Sequence, residues 1–370
     1  MLKKISVSSI LRFAAVFLFL LFKYVEMWSF LITGEIYKSK IIIAMVAIII
    51  AAISLKMKFD KRDIKKLLTT FIVFSVIVIF SKRFDLIVAF AFSVIYFNNE
   101  DGDKKFVKSF FISSAFLFIT TIFLSIIGFL PSTFSTRLTE SGNIINRNNL
   151  GFYGANSLFL SFYPIVISCI ILYFKDNWKK NVLISLVVLI LSIIFYKLTN
   201  CRAGILCIIV TLILANFMKF FRKNIFKQMA KYSFIILFIV SLVLALIFGT
   251  NTDNPISKIS SGRMYFWNYY IKSVGFNFIG SEAIKTLPLD NLYLQFFYIY
   301  GFIAFALYFC FNVIASKKMV ESNKLIFVIF AFSIYGFFEN NIAFNLNFLI
   351  TLMLIYVLGN KNNMFFTKEE

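Results

Sequence analysis

"KKLLTTFIVFSVIVIFSKRFDLIVAFAFSVIYFNNEDGDKK", residues 65–105, decides how the whole chain threads a membrane. Two apolar runs, roughly residues 66–81 and 84–98, are separated by a short charged break at Lys82 and Arg83. Each is near the lower limit for crossing a bilayer, where ~20 residues rising ~1.5 Å apiece span a ~30 Å core. Read as two spans, the runs bring the chain back to the side it left. Read as a single re-entrant pair, they invert everything that follows.

Ten further apolar runs surround this pair, at roughly 10–31, 38–56, 108–130, 152–174, 181–197, 203–219, 232–249, 291–314, 324–338 and 342–359. The 370-residue chain is 60% hydrophobic and only 15% charged, with a mean hydropathy of +0.87. A soluble domain averages about a quarter charged. The expectation is an all-α polytopic integral membrane protein of about twelve transmembrane helices, forming one transmembrane domain over residues 1–370. The opening "MLKKISVSSILRFAAVFLFLLF" has a basic-then-apolar pattern without a convincing small-residue cleavage site, so it reads as a retained first span.

The loops choose between the two threadings, because cytoplasmic loops collect lysine. With twelve spans and a cytoplasmic N-terminus, the inside loops are "KMKFDKRDIKK", "NNEDGDKKFVK", "KDNWKK", "MKFFRKNIFKQMAK" and "SKKMVESNK", all lysine-rich. The two longest loops, 131–151 and 250–290, then lie outside and are poor in lysine. Merging the pair would place both inside. Twelve spans with both termini cytoplasmic is the consistent reading.

That distribution also disposes of the net charge of +21 as a nucleic-acid signal, since the lysines sit in short loops between spans. Four cysteines show no CxxC spacing and the chain has no histidine, so neither a zinc site nor any other metal or cofactor is expected. No P-loop or GxSxG motif is present.

Arginine is scarce beside lysine, and its placement is informative. Of 38 basic residues, eight are arginine, and Arg83, Arg137, Arg147, Arg202 and Arg263 all fall on the outer side. A guanidinium is a planar, permanently charged fork that grips phosphate oxygens in pairs. The bland alternative is pairing with acids such as Glu140 or Asp253, or snorkelling to headgroups. It weighs most for Arg83 and Arg137.

Three outer segments carry the chemistry. In "ESGNIINRNNLGFYGANSLFLS" (140–161), Arg147 stands among asparagines, which suit sugar hydroxyls and phosphates but are also ordinary turn residues. In "YKLTNCRAGILC" (196–207), Arg202 opens a span, where helix dipole and free amides favour an anion. The third is the stretch from Thr250 to Asp290, longer than the 12–15 residues above which loops are commonly functional or disordered. It holds "SGR" ending at Arg263, then Tyr265, Phe266, Trp267, Tyr269 and Tyr270, which fit a short helix on the interface. Most of those aromatics suit an interfacial belt, while Trp267 or Tyr265 could stack on a sugar ring. The loop re-enters at Asp290, Asn291 and Tyr293, and an acid at membrane depth is costly and usually functional.

The order "NCRAG" (200–204), "SGRMYFW" (261–267) and "DNLYLQFFYIYG" (290–301) resembles the Wzy-type O-antigen and capsular repeat-unit polymerases, members of one superfamily with the O-antigen ligases. The resemblance in topology covers nearly the whole chain, and its short motifs occupy 199–301. It implies a GT-C-like lipid-dependent glycosyltransferase in the bacterial cytoplasmic membrane. Such an enzyme takes undecaprenyl-pyrophosphate-linked oligosaccharide at the outer leaflet and transfers the growing glycan onto the next lipid-linked unit. A flippase and a chain-length regulator are the implied protein partners. Arg202 and Arg263 would match the family's pyrophosphate-binding arginines, with Arg147, Asn291, Tyr293 and Trp267 as further substrate contacts. Asp290 stands where the related ligases carry a histidine.

The chemistry is consistent with that resemblance. Departure of a pyrophosphate needs cations placed to meet the developing charge, and two or three arginines can stand where other enzymes use a metal. The acceptor hydroxyl then needs a base: Asp290 first, or Glu339 in the outward "FFENN". Glu339 could instead satisfy Asn340 and Asn341 or pair with a loop lysine. A ligase-like transferase would share the fold. A flippase of lipid-linked oligosaccharide would need charges lining a central cavity, and a secondary transporter would show internal repeats, which the two halves lack.

Overall fold

A computed structural model describes residues 7–34, 40–55, 57, 59–81, 85–131, 134–138, 144–175, 177–250, 262–280, 289–339, 347–360 and 363–368. Arg83, Glu140, Asp253, Pro288, Asn340 and Asn341 lie outside them. Each of the twelve apolar runs is mostly helical in its described part. The helices are α1 Val7–Thr33, α2 Lys40–Leu55, α3 Lys61–Ser81, α4 Asp85–Tyr96, α5 Gly102–Ile126, α6 Ala155–Tyr173, α7 Trp178–Thr199, α8 Arg202–Asn216, α9 Asn224–Lys231, α10 Ser233–Phe248, α11 Arg263–Val274, α12 Leu292–Tyr298, α13 Gly301–Met319, α14 Asn323–Phe338, α15 Phe348–Leu358 and α16 Phe365–Lys368.

The protein is a helical, multi-pass membrane protein. Six described helices (α1, α3, α5, α6, α7 and α13) are long and apolar enough to cross, or up to seven spans if α9 and α10, bent by 70°, count as one. The outward faces agree with lipid as their solvent. On α5, Phe116, Ile119, Phe123 and Ile126 are exposed, as are Leu183, Leu186, Val187, Ile190 and Ile194 on α7. Water would not tolerate apolar faces of that extent on a monomer.

The apolar runs at 66–81 and 84–98 belong to two separate helices, α3 and α4. α3 begins five residues before its apolar run, through Lys61, Arg62, Asp63, Ile64 and Lys65, and reaches 21 residues. α4 runs for 12 residues in its described part. Its buried Leu86, Ala89, Phe92, Ile95 and Tyr96 turn one face of it into a protein core.

The helices gather into two compact units, each discontinuous in sequence. One comprises residues 1–58 and 98–216. Its centre is α6, against which α5, α7 and α8 pack. Phe118, Phe162 and Phe195 cluster there with ring centres 5.1–5.7 Å apart. Gly204 lets α8 close on α6, because a Cβ at that position would stand 2.3 Å from the Phe159 ring. The 131–151 loop contains an antiparallel ribbon, β1 Phe134–Leu138 with β2 Ile144–Asn148, in which Arg147 is opposite Ser135.

The other unit comprises residues 59–97 and 217–370. α15 is buried along most of its length, against α4 and α13. Phe234 of α10 is an aromatic hub, with Tyr293, Phe305 and Tyr308 at 5.1–5.4 Å. The run expected as a single span over 291–314 is broken. α12 ends at Tyr298 and α13 starts at Gly301, whose φ of +88° suits glycine. The amides freed by the break are recaptured: Phe302 donates to the Asn277 carbonyl at 2.9 Å and Ile303 to that of Phe278 at 3.2 Å. Such satisfaction by protein is what a broken helix at membrane depth requires.

Candidate functional site

Arg263, Asp290 and Glu339 come together in the second unit from positions up to 76 residues apart. The Arg263 Nε lies 3.7 Å from Asp290 Oδ2, and Nη2 donates to Glu339 Oε1 at 3.4 Å. One cation therefore faces two carboxylates, leaving one formal negative charge when both are ionised. Both contacts are longer than the ~2.7–2.9 Å of a tight charge-assisted bond, so the guanidinium is shared and locked to neither acid. The Glu339 side chain is 6% exposed and that of Asp290 30%, which makes Asp290 the more accessible of the two. Burial raises the Asp290 carboxyl above its ordinary range, and the neighbouring Arg263 draws it only partly back.

Each member is set in place by its local sequence. Gly262 caps the start of α11 with φ +76°, a left-handed turn that suits the glycine of "SGR" and makes Arg263 the first helical residue. α11 is then braced twice. Asn268 Nδ2 donates to the Ala245 carbonyl of α10 at 2.8 Å. Trp267, 1% exposed, meets Phe337 edge-on at 5.3 Å. Its indole is thus part of the core rather than an open platform for a sugar. Tyr265, 38% exposed, keeps an accessible ring. The expectation of a short helix in this loop holds, but one face of it is buried.

Asn291 fixes the two acids relative to each other. Its Oδ1 accepts from Tyr293 N and Leu294 N at 3.1 and 3.0 Å, capping α12. Its Nδ2 donates to Ser241 Oγ of α10 at 2.9 Å and to the Phe337 carbonyl at 3.1 Å. Asp290 is its neighbour on one side of that clamp, and Glu339 follows Phe337 by two residues on the other. Both Asn291 amide atoms are committed, and the residue is wholly buried. Tyr293 is likewise buried, its hydroxyl donating to the Ser333 carbonyl at 2.6 Å. In this structure Asn291, Tyr293 and Trp267 build the site's frame rather than line it, since every polar atom of Asn291 and Tyr293 is spent inside the protein.

Arg147 and Arg202 belong to the first unit. Arg147 Nε donates to the Thr199 carbonyl at 2.7 Å and Nη2 to Asn156 Oδ1 at 3.0 Å, tying β2 to the end of α7 and the start of α6. Cys201 Sγ donates to the same Asn156 oxygen at 3.3 Å. Arg202 begins α8, is exposed, and forms no side-chain hydrogen bond or ion pair among the described residues.

The sequence reading missed Ser241, Asn268 and Phe337. A serine inside "FIILFIVSLVLALIF" was a usable signal, since a lone hydroxyl in a lipid-facing run needs a partner. Asn268 among aromatics was another. Phe337 had none, because it contributes a backbone carbonyl and a ring edge that any large apolar residue could supply. No protein-family model matches the chain, and neither a curated protein nor a solved structure matches it at a significant level.

Proposed function

We propose that the protein is a membrane glycosyltransferase that polymerises lipid-linked oligosaccharide repeat units at the outer face of the bacterial cytoplasmic membrane. In this reading it has about twelve spans with both termini cytoplasmic, and its substrate is an undecaprenyl-pyrophosphate-linked glycan. The observation that carries the proposal is a single arginine held loosely between two carboxylates of unequal exposure. That is a charge arrangement suited to exchanging one anion for another.

The reaction needs two things at once. As the C1–O bond to the pyrophosphate breaks, negative charge grows on the leaving phosphate. Arg263, at the first turn of a 12-residue helix, where the dipole also favours negative charge, is suited to receive it. A phosphate that takes the guanidinium competes with Asp290, the more exposed partner. Released from Arg263, Asp290 loses the contact that lowers its proton affinity and becomes the stronger base. It then accepts the proton of the attacking hydroxyl while that oxygen bonds to C1 and the lipid pyrophosphate leaves. Glu339, the less exposed carboxylate, keeps Arg263 oriented throughout. Arg202, open at the start of its own helix, remains a second candidate for phosphate contact.

The test is the surface polysaccharide of cells lacking the gene, complemented with the native chain or with Arg263→Ala. A polymerase predicts that deletion collapses a ladder of long chains to single repeat units. It also predicts that Arg263→Ala, present at normal membrane levels, fails to restore the ladder. Repeat units stranded at the inner face would instead identify a flippase, and an unchanged ladder would remove the reading altogether. Retention of single-unit transfer onto a different acceptor would favour the ligase-like alternative.

A further inference from the structure

Residues 217–232, "FMKFFRKNIFKQMAKY", contain five basic side chains (Lys219, Arg222, Lys223, Lys227 and Lys231) and no acidic one. As a cytoplasmic loop they needed only charge. They are instead mostly helical, a 3₁₀ turn over Met218–Arg222 followed by α9, which meets α10 at 70°. One face of this elbow is anchored. Met218, Phe221 and Ala230 are buried, and the Phe221 ring lies 5.4 Å from both Phe226 and Phe330.

The other face is the informative one. Phe217 (53%), Phe220 (47%), Ile225 (63%), Met229 (44%) and Tyr232 (38%) are all exposed among the cations. Lys219 Nζ stands 5.8 Å from the Phe220 ring centre and Lys231 Nζ 4.8 Å from that of Tyr232. A basic surface facing water or a soluble acidic partner has no use for five large apolar side chains between its charges. A helix lying in the headgroup plane needs both, with apolar groups dipping to the acyl boundary and cations meeting phosphates. The elbow also runs directly into α10, whose Ile236, Ile239, Val243 and Ile247 are exposed to the hydrocarbon.

We propose that the 217–232 elbow is a binding site for anionic phospholipid headgroups. The site is separate from the Arg263 centre and does not depend on the enzymatic reading. Each cation near an anionic surface contributes a factor of about five, the equivalent of ~1 kcal/mol.

The experiment uses the full chain in detergent, offered equal phosphatidylglycerol and phosphatidylcholine, with retained lipids weighed by native mass spectrometry. The native chain is expected to retain phosphatidylglycerol preferentially, and 0.5 M salt, roughly, to erode that preference. The variant K219Q/R222Q/K223Q/K227Q/K231Q should lose it. The single change Lys227→Gln, which is safe for folding, should lower it several-fold. Ile225→Ser with Met229→Ser should weaken both lipids alike while sparing the headgroup preference. A native chain that does not discriminate between the lipids overturns the proposal, as does a Lys227→Gln variant together with a folded five-fold variant that still discriminate fully. Tight binding of a short single-stranded oligonucleotide without any headgroup preference overturns it in favour of nucleic acid.

Discussion

Two arginines, each in a stretch between apolar runs of the sequence, end in opposite circumstances. Arg147 counts two neutral acceptors among its partners, the Thr199 carbonyl and Asn156 Oδ1, at 2.7 and 3.0 Å. Arg263 stands between two carboxylates at 3.4 and 3.7 Å. Short bonds to neutral groups make a staple, because no ligand offers a carbonyl of the protein better terms. Longer contacts to two acids leave a cation that a stronger anion can claim and an acid that is changed by the loss. Residue type is the same in both places; partner charge and distance separate scaffold from chemistry.

The largest expected effect sharpens the second half of that comparison. Asp290→Asn keeps the shape and removes the proposed base, so the proposed glycan transfer should fall by about 10²–10⁴-fold, the usual contribution of general acid–base catalysis. The variant should still migrate as a folded monodisperse protein in detergent. Full activity in Asp290→Asn would make Asp290 a mere counter-ion. Acidity offers a second view of the same group. Because burial raises the Asp290 carboxyl, it is protonated, and unable to accept a proton, over a range where an ordinary aspartate is ionised. Transfer should therefore rise with pH through a midpoint above the ~3.9 of a free aspartate. That limb should be missing from the residual activity of Asp290→Asn. A midpoint at or below the free value would contradict the burial argument.

Next in size is the frame. Asn291→Ala uncaps α12 and takes the Asn291 side chain away from the Phe337 carbonyl and from the Tyr293 and Leu294 amides. Losing the cap and a buried bond should cost about 2–3 kcal/mol, visible as a lower melting temperature. Activity should fall as well, since Asp290 and Glu339 are set by this one side chain. Unaltered activity at unaltered stability would show that the two acids are positioned by something else.

How much of this could be read in the sequence divides along the same line. The helices were legible, because apolar runs bounded by lysine leave the backbone no other way to satisfy itself in lipid. The break at Gly301 was not. One glycine in "YLQFFYIYGFIAF" looks like any membrane glycine until the Asn277–Gly280 segment is seen bonding to the opened turn. The β1–β2 ribbon was not legible either, because neither "FSTRL" (134–138) nor "IINRN" (144–148) alternates apolar and polar residues as a half-buried strand does. At the site, Arg263, Asp290 and Glu339 were each conspicuous as charges beside spans. Their meeting was not legible, because Glu339 had equally good partners nearby in Asn340 and Asn341, and nothing local ranks a contact 76 residues away above them. Asn291, Tyr293 and Trp267 were legible as important, but not as buried members of the frame. Polarity at a span mouth serves a helix cap as well as a substrate.

The smallest expected effect tests the comparison most directly, through matched arginine-to-lysine changes. At Arg147 a lysine can reach one of the two acceptors but not both, so about 1 kcal/mol of stability should be lost. Transfer per folded molecule should be unchanged, because neither acceptor takes part in the chemistry. At Arg263 the same change keeps the charge but removes the fork that faces Asp290 through Nε and Glu339 through Nη2. A lysine ammonium can sit with either acid, and near Asp290 it would hold that carboxylate ionised and poorly basic. Stability should then move little while transfer drops. The opposite pattern, transfer lost at position 147 and kept at 263, would reverse the assignment of staple and site. The two variants need only a melting curve and a polysaccharide ladder each, and both keep a positive charge at their position.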